Sequence, residues 1–150
     1  MLRNLTATRP TWVTLPLRLA LGAVFIAHGA QKVLGTWGGP GWAKFTSLPT
    51  PFGLMRPAWL WMGAAAVAEL VGGLLVLLGL FTRLGAFLIA CTMLTAVFGV
   101  HWGKFFLPGG FEYALALLGI AVALLIEGGG RASVDERLQS GGGRRRYKTK

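Results

Sequence analysis

The sequence has one cysteine, Cys91, two histidines and five acidic residues among 150. A single thiol forms no intrachain disulfide, no CxxC redox couple and no thiolate metal cluster, so any redox chemistry must come from a bound cofactor or a partner. Charge is scarce as well: 13% of residues carry it, against about 25% in soluble domains. Residues 84–103 and 113–126 have no charge at all, and residues 58–82 have only Glu69. There is no Walker loop, dinucleotide fingerprint, nucleophile elbow or internal repeat, so nucleotide-driven and serine-hydrolase chemistry lack their usual anchors.

What is present is apolar. Hydrophobic residues make up 54% of the chain and the mean hydropathy is +0.61, which excludes an ordinary water-soluble globule. A bilayer-spanning helix needs about 20 mostly apolar residues, and this content fills about four of them. The charge gaps place the spans at about 12–34, 58–80, 84–103 and 111–127. The first holds Arg18 and, near its far end, His28, Gln31 and Lys32; its 23 residues still cover about 34 Å, against a hydrocarbon core of about 30 Å. Arg18 interrupts the apolar stretch and no clear A-x-A site follows, so the segment reads as a retained helix rather than a cleaved signal. The fold class is all-α, a polytopic four-helix membrane bundle.

Residues 1–11 form an N-terminal segment, 12–127 the membrane unit and 128–150 a tail. The net charge of +10 suggests nucleic acid at first sight, but seven of the fifteen cations fall in the last twenty residues. With four spans, both termini and the Arg83 turn share one side, and that side collects ten cations. The positive-inside bias makes it cytoplasmic. Nucleic acid is not an expected partner; anionic lipid near the basic end of the tail is. Within the tail, Ser133-Val134-Asp135-Glu136 has capping-box spacing for a juxtamembrane helix of one or two turns, and Ser140 to Lys150 reads as disordered. The connection 35–57, rich in Trp, Phe and Pro, reads as an interfacial element over the mouth of the bundle.

Ionisable groups inside a membrane are costly and usually face a bundle interior. Glu69 falls at mid-depth; His28, Gln31, Lys32, His101, Lys104 and Glu112 fall towards the outer face above it. Arg18, Gly22, Phe25, Gly29 and Lys32 share one stripe of the first helix, Ala65, Ala66, Gly72 and Gly73 flank Glu69, and Glu112, Ala116, Gly119 and Ala123 form a small-residue stripe on the fourth. Such stripes predict packing faces. Cys91 reads as a small buried residue.

Several chemistries fit these groups. Glu69 pairing with Arg18 or a histidine, and Glu112 with Lys32 or Lys104, would make structural ion pairs. A slot for a quinone or other flat redox ligand would use His28 and Glu69 for proton handling, with Arg18, Gln31, Lys32, His101 and Glu112 as ligand-binding partners. A metal site has the right ligand types but lacks i, i+3 or i, i+4 pairs, so none is predicted. A proton or solute path through Glu69 is a further alternative.

Four strings carry a resemblance: His28-Gly29-Ala30-Gln31-Lys32; Ala68-Glu69-Leu70-Val71-Gly72-Gly73-Leu74-Leu75 running on to Leu78-Gly79-Leu80-Phe81-Thr82-Arg83; Gly109-Gly110-Phe111-Glu112-Tyr113; and Gly128-Gly129-Gly130-Arg131-Ala132-Ser133-Val134-Asp135. In this order, over about residues 14–137, the chain resembles the DoxX/DoxD family of small bacterial membrane proteins. Gly129 stands where the family usually has proline. The resemblance implies a four-helix bundle with Arg18, His28, Lys32, Glu69, His101 and Glu112 at characteristic polar positions. More loosely it implies membrane-linked redox, since DoxD belongs to a thiosulfate:quinone oxidoreductase. Expected from this are a quinone as non-covalent cofactor and other membrane-complex subunits or self-association as partners, with a non-catalytic accessory or assembly subunit, or a small transporter, as competing functions.

Overall fold

The computed structural model describes residues 6–106 and 108–144, and no strand occurs among them. Their α-helices are α1 (Thr14–Leu34), α2 (Gly41–Thr46), α3 (Ala58–Leu78), α4 (Thr82–Thr95), α5 (Glu112–Glu127) and α6 (Val134–Arg144). A 3-10 turn, Thr36–Gly38, follows α1, and α4 runs on into a π-type turn, Ala96–Val100. Three segments are long and apolar enough to cross a membrane: α1, α3 and the continuous stretch Thr82–Val100. The expected fourth span, α5, has 16 residues and is about 24 Å long.

The long helices pack antiparallel in chain order, α1 on α3, α3 on α4 and α4 on α5, with a lighter contact between α5 and α1 closing the ring. Glycine decides how closely α1 and α3 approach. A Cβ at Gly29 would lie 2.5 Å from Leu70 Cα, and one at Gly73 would lie 2.7 Å from the Ile26 nitrogen, so both backbones meet where no side chain fits. The α1 stripe holds, since Arg18, Gly22, Phe25 and Gly29 are all buried. So does the Glu69 face, where Ala66, Gly72 and Gly73 are buried.

The α5 stripe does not hold. Ala114, Leu117, Ala121 and Leu124 form its buried face, whereas Ala116 and Gly119 are exposed and nothing lies within 4 Å of a Cβ built at Gly119. Size does not sort this helix: Ala114 and Ala121 are buried while Leu115, Val122 and Ile126 are exposed, because facing apolar lipid costs a large apolar side chain no more than facing the core. Cys91 is also exposed rather than buried.

The bundle has two unlike ends. At the first lie the start of α1, the end of α3, the start of α4 and the end of α5, tied by α6 and the N-terminal segment. Helix α3 stops in a Schellman arrangement: Gly79 takes φ 66°, its N–H donates to Val76 O at 3.1 Å, and Leu80 N–H donates to Leu75 O at 3.0 Å. Arg18, 2% exposed, plugs this end. Its Nε donates to Val76 O at 3.1 Å and Nη2 to Leu77 O at 3.0 Å, while Nη1 donates to Gly129 O at 3.0 Å and Ala132 O at 3.3 Å. The guanidinium thus adds donors to Val76 O and Leu77 O in the last turn of α3, at the negative pole of its dipole, and ties them to the 129–132 turn.

Asp135 does the converse for α4. Its carboxylate accepts from Phe81 N–H at 2.8 Å, Thr82 N–H at 2.9 Å and Thr82 Oγ1 at 2.8 Å, capping the positive pole. The Ser133 to Glu136 capping box forms, with Glu136 N–H donating to Ser133 Oγ at 3.1 Å and Ala132 N–H to Glu136 Oε2 at 3.2 Å. The helix it opens runs to Arg144, longer than one or two turns, so residues 140–144 are helical where disorder was expected. The basic run from Arg145 to Lys150, expected to meet anionic lipid, lies outside the described residues, as does Arg3.

The other end is wider. Helix α2 and residues 48–55 lie across it. Exposed Trp102 stacks on Phe111 at 5.9 Å and tilts against Phe98 at 5.1 Å, a belt of rings such as interfaces favour.

Candidate functional site

A cavity of about 930 Å³ occupies the wide half of the bundle, with walls from α1, α3, α4 and α5 and a lid from α2 and the following loop. Its lining is mostly apolar, with Met55, Met62 and Met93 among its side chains. The fully buried residues Leu21, Val76, Ile89 and Leu124 fill the narrow half with packed apolar side chains instead.

Four of the seven predicted site residues line this cavity: His28, Lys32, Glu69 and His101. Glu69, 6% exposed at its side chain, accepts a hydrogen bond and ion pair from Lys32 Nζ, whose side chain is 23% exposed. The predicted partners of Glu69 were Arg18 or a histidine. Arg18 is committed to carbonyls at the opposite end, and Lys32 reaches Glu69 because the Gly29–Leu70 approach sets the two helices in register. Lys32 Nζ also lies 5.3 Å from the Phe45 ring centroid, so the lid covers the cation with an aromatic face.

His28, one helical turn before Lys32, is exposed into this region. His101 is half-buried, and its Nδ1 is 3.2 Å from Gly109 O. The π-type turn positions it: His101 N–H donates to Ala96 O at 2.9 Å, five residues back. The extra residue of such a turn rotates the next side chains about the helix axis, a distortion frequent at functional sites.

The other three predicted residues lie elsewhere. Arg18 closes the narrow end. Gln31 is half-buried below Gly39, where a Cβ would lie 2.6 Å from its own Cβ, and does not line the cavity. Glu112 is half-buried in the first turn of α5, its N–H donating to Phe105 O at 3.1 Å, also outside the lining. Phe45, Cys91 and Tyr113 line the cavity although none of them is among the seven predicted site residues; for Phe45 the aromatic density of the lid was the available signal. No group of three metal-ligating side chains forms among the described residues.

Chemically, the site offers an ammonium, a carboxylate and two imidazoles at the rim of an apolar chamber. That suits a ligand with a large apolar body and one hydrogen-bonding edge.

The sequence model of the DoxX family matches residues 13–102. An "Uncharacterized protein" of Haemophilus influenzae is 31% identical over 145 residues, covering 91% of this chain and 97% of the relative. The "Putative oxidoreductase CatD" of Bacillus subtilis is 33% identical over 112 residues, covering 74% of this chain and 77% of that protein. No solved structure matches significantly. With apolar membrane-length helices and a family match over more than half its length, this chain belongs to the DoxX family of membrane proteins.

Proposed function

We propose that the chain is a four-span bacterial inner-membrane protein, both termini cytoplasmic, that serves as a small subunit of a quinone-linked oxidoreductase. The observation that carries this reading is the cavity: about 930 Å³, chiefly apolar, with the Lys32–Glu69 pair in its wall and His28 and His101 on its lining. Ligand pockets run to about 300–1,000 Å³ with few polar groups, and a quinone ring needs hydrogen-bond donors at its carbonyls beside an apolar sleeve. The name of the Bacillus subtilis relative supports an oxidoreductase. Arg9, Arg83, Arg131 and Arg137 on the narrow end support its cytoplasmic placement.

When bound, a quinone supplies two-electron, two-proton redox chemistry. The protein's part is positioning and proton handling. Lys32 and the imidazoles would hold the ring by hydrogen bonds, and Glu69 and His28 would accept or deliver protons; the packed narrow half blocks water from below. Glu69→Gln or His28→Ala then slows quinone-linked electron transfer in membranes by about 100-fold, and solvent extraction of protein purified in mild detergent yields a lipophilic quinone. Unchanged rates together with quinone-free protein refute the reading.

A non-catalytic accessory role is the second reading. It is favoured by the outward Ala116 and Gly119 of α5, where another helix backbone can approach closely. A co-purifying partner whose level falls when this chain is deleted, with no bound quinone, decides for it.

A further inference from the structure

We infer that the cavity opens sideways into the bilayer between α3 and α4, and that its ligand is a lipid with a hydrogen-bonding ring at the Lys32–Glu69 pair and one apolar chain leaving through that seam. This rests on the quinone reading and specifies the class: a prenyl-tailed quinone taken from the membrane, not a tail-less one from water.

Both ends of the chamber are shut. Below, Leu21, Val76, Ile89 and Leu124 are fully buried. Above, the lid is seated at two glycines: a Cβ at Gly63 would lie 3.0 Å from Trp42 Cη2, and one at Gly99 would lie 2.7 Å from Pro51 Cβ and 2.9 Å from the Phe52 ring. Only the side is left. Helices α3 and α4 touch at Gly72 and Gly85, where a Cβ at Gly72 would lie 3.1 Å from Gly85 O. From there towards the lid, Ala64, Ala65 and Ala68 of α3 face the cavity together with Cys91, Thr92 and Thr95 of α4. Ala64 and Cys91 are exposed. Opposite, the cavity wall of α1 and α5 carries Phe25, Ala114 and Leu117 with His28, Lys32 and Tyr113; His28 and Tyr113 are exposed there, so that side presents polar groups rather than hydrocarbon.

The seam is built for hydrocarbon. Thr92 Oγ1 donates to Ile89 O at 2.8 Å and Thr95 Oγ1 to Cys91 O at 3.0 Å. Both hydroxyls are therefore satisfied by their own helix and the seam asks for no polar partner. A chain of isoprene units fits such a slot; a polar substrate gains nothing from it.

The test uses the full-length protein in proteoliposomes with two probes that share one ring: menaquinone-4 and 2,3-dimethyl-1,4-naphthoquinone, both fully substituted so that neither adds to a thiol. Cys91, the one cysteine, reports on the seam. Menaquinone-4 slows its alkylation by N-ethylmaleimide about tenfold, whereas the tail-less ring, at an occupancy matched by binding, slows it less than about twofold. Ala64→Leu with Ala68→Leu weakens menaquinone-4 about tenfold and leaves the tail-less ring within about twofold. Binding of both probes with equal protection of Cys91, or with no protection, overturns the lateral route while leaving the quinone site standing. Binding of neither probe by the wild-type protein overturns the quinone reading itself, and the lateral route with it. The alkylation arm needs no variant, so a misfolded double mutant does not remove the test.

Discussion

The two halves of one bundle handle buried polarity in opposite ways. At the narrow end Arg18 and Asp135 are almost fully buried, and their charges are spent on backbone groups at helix termini. At the wide end Glu69 and Lys32 are spent on each other, beside a chamber. A guanidinium with four of its five N–H groups on carbonyls has a single donor left, and it sits in the packed end away from the cavity; an ion pair at a cavity wall keeps lone pairs and protons available. Burial alone therefore does not mark a functional charge in a membrane bundle. What marks it is whether its partners leave anything over.

This contrast can be broken in order of expected effect. Arg18→Met removes one donor from each of four buried carbonyls, of which Val76 O keeps Gly79 N–H and Gly129 O keeps Thr14 Oγ1, and costs about 3 kcal/mol, read as loss of folded protein or a large drop in Tm in detergent. Asp135→Ala uncaps α4 and costs about 2 kcal/mol, with a smaller drop in Tm and electron transfer per folded molecule unchanged. Glu69→Gln reverses that order: stability falls by about 1 kcal/mol, because the amide oxygen still accepts a hydrogen bond from Lys32, while quinone-linked activity collapses. Gly99→Val pushes Pro51 and Phe52 off their seat, so limited proteolysis cuts within 48–55 faster while Tm moves by less than about 1 kcal/mol equivalent. Ala116→Leu on the outward face of α5 changes stability by no more than about 0.5 kcal/mol; a large loss there would mean that this face is covered by another helix.

The helix positions were legible in the sequence because charge is excluded from the spans, and the α1 and α3 faces were legible because glycines step along them with the polar residues. The α5 face was not, since Ala, Gly and Leu all pack against a helix or face lipid with equal ease: Leu117 and Leu124 are buried, Leu115 is exposed. Gathering His28, Lys32, Glu69 and His101 was within reach of depth and spacing. The partner of Glu69 was not, because Arg18 found backbone acceptors, and carbonyls carry no signature in a sequence. For the same reason Asp135 read only as part of a capping box, although it holds the start of a helix more than fifty residues earlier.

The arrangement around Arg18 bears on the order in which the protein is made. Its guanidinium belongs to the first long helix, but two of its four acceptors, Gly129 O and Ala132 O, are synthesised more than a hundred residues later. Until then the cation has only the end of α3 to bind, and Asp135, which fastens the start of α4, also arrives last. The narrow end is thus latched from the C-terminal side after insertion of the helices is over. Chains stopped at residue 127 should insert and yet remain loose, open to cellular quality-control proteases until residues 128–135 follow and close the latch.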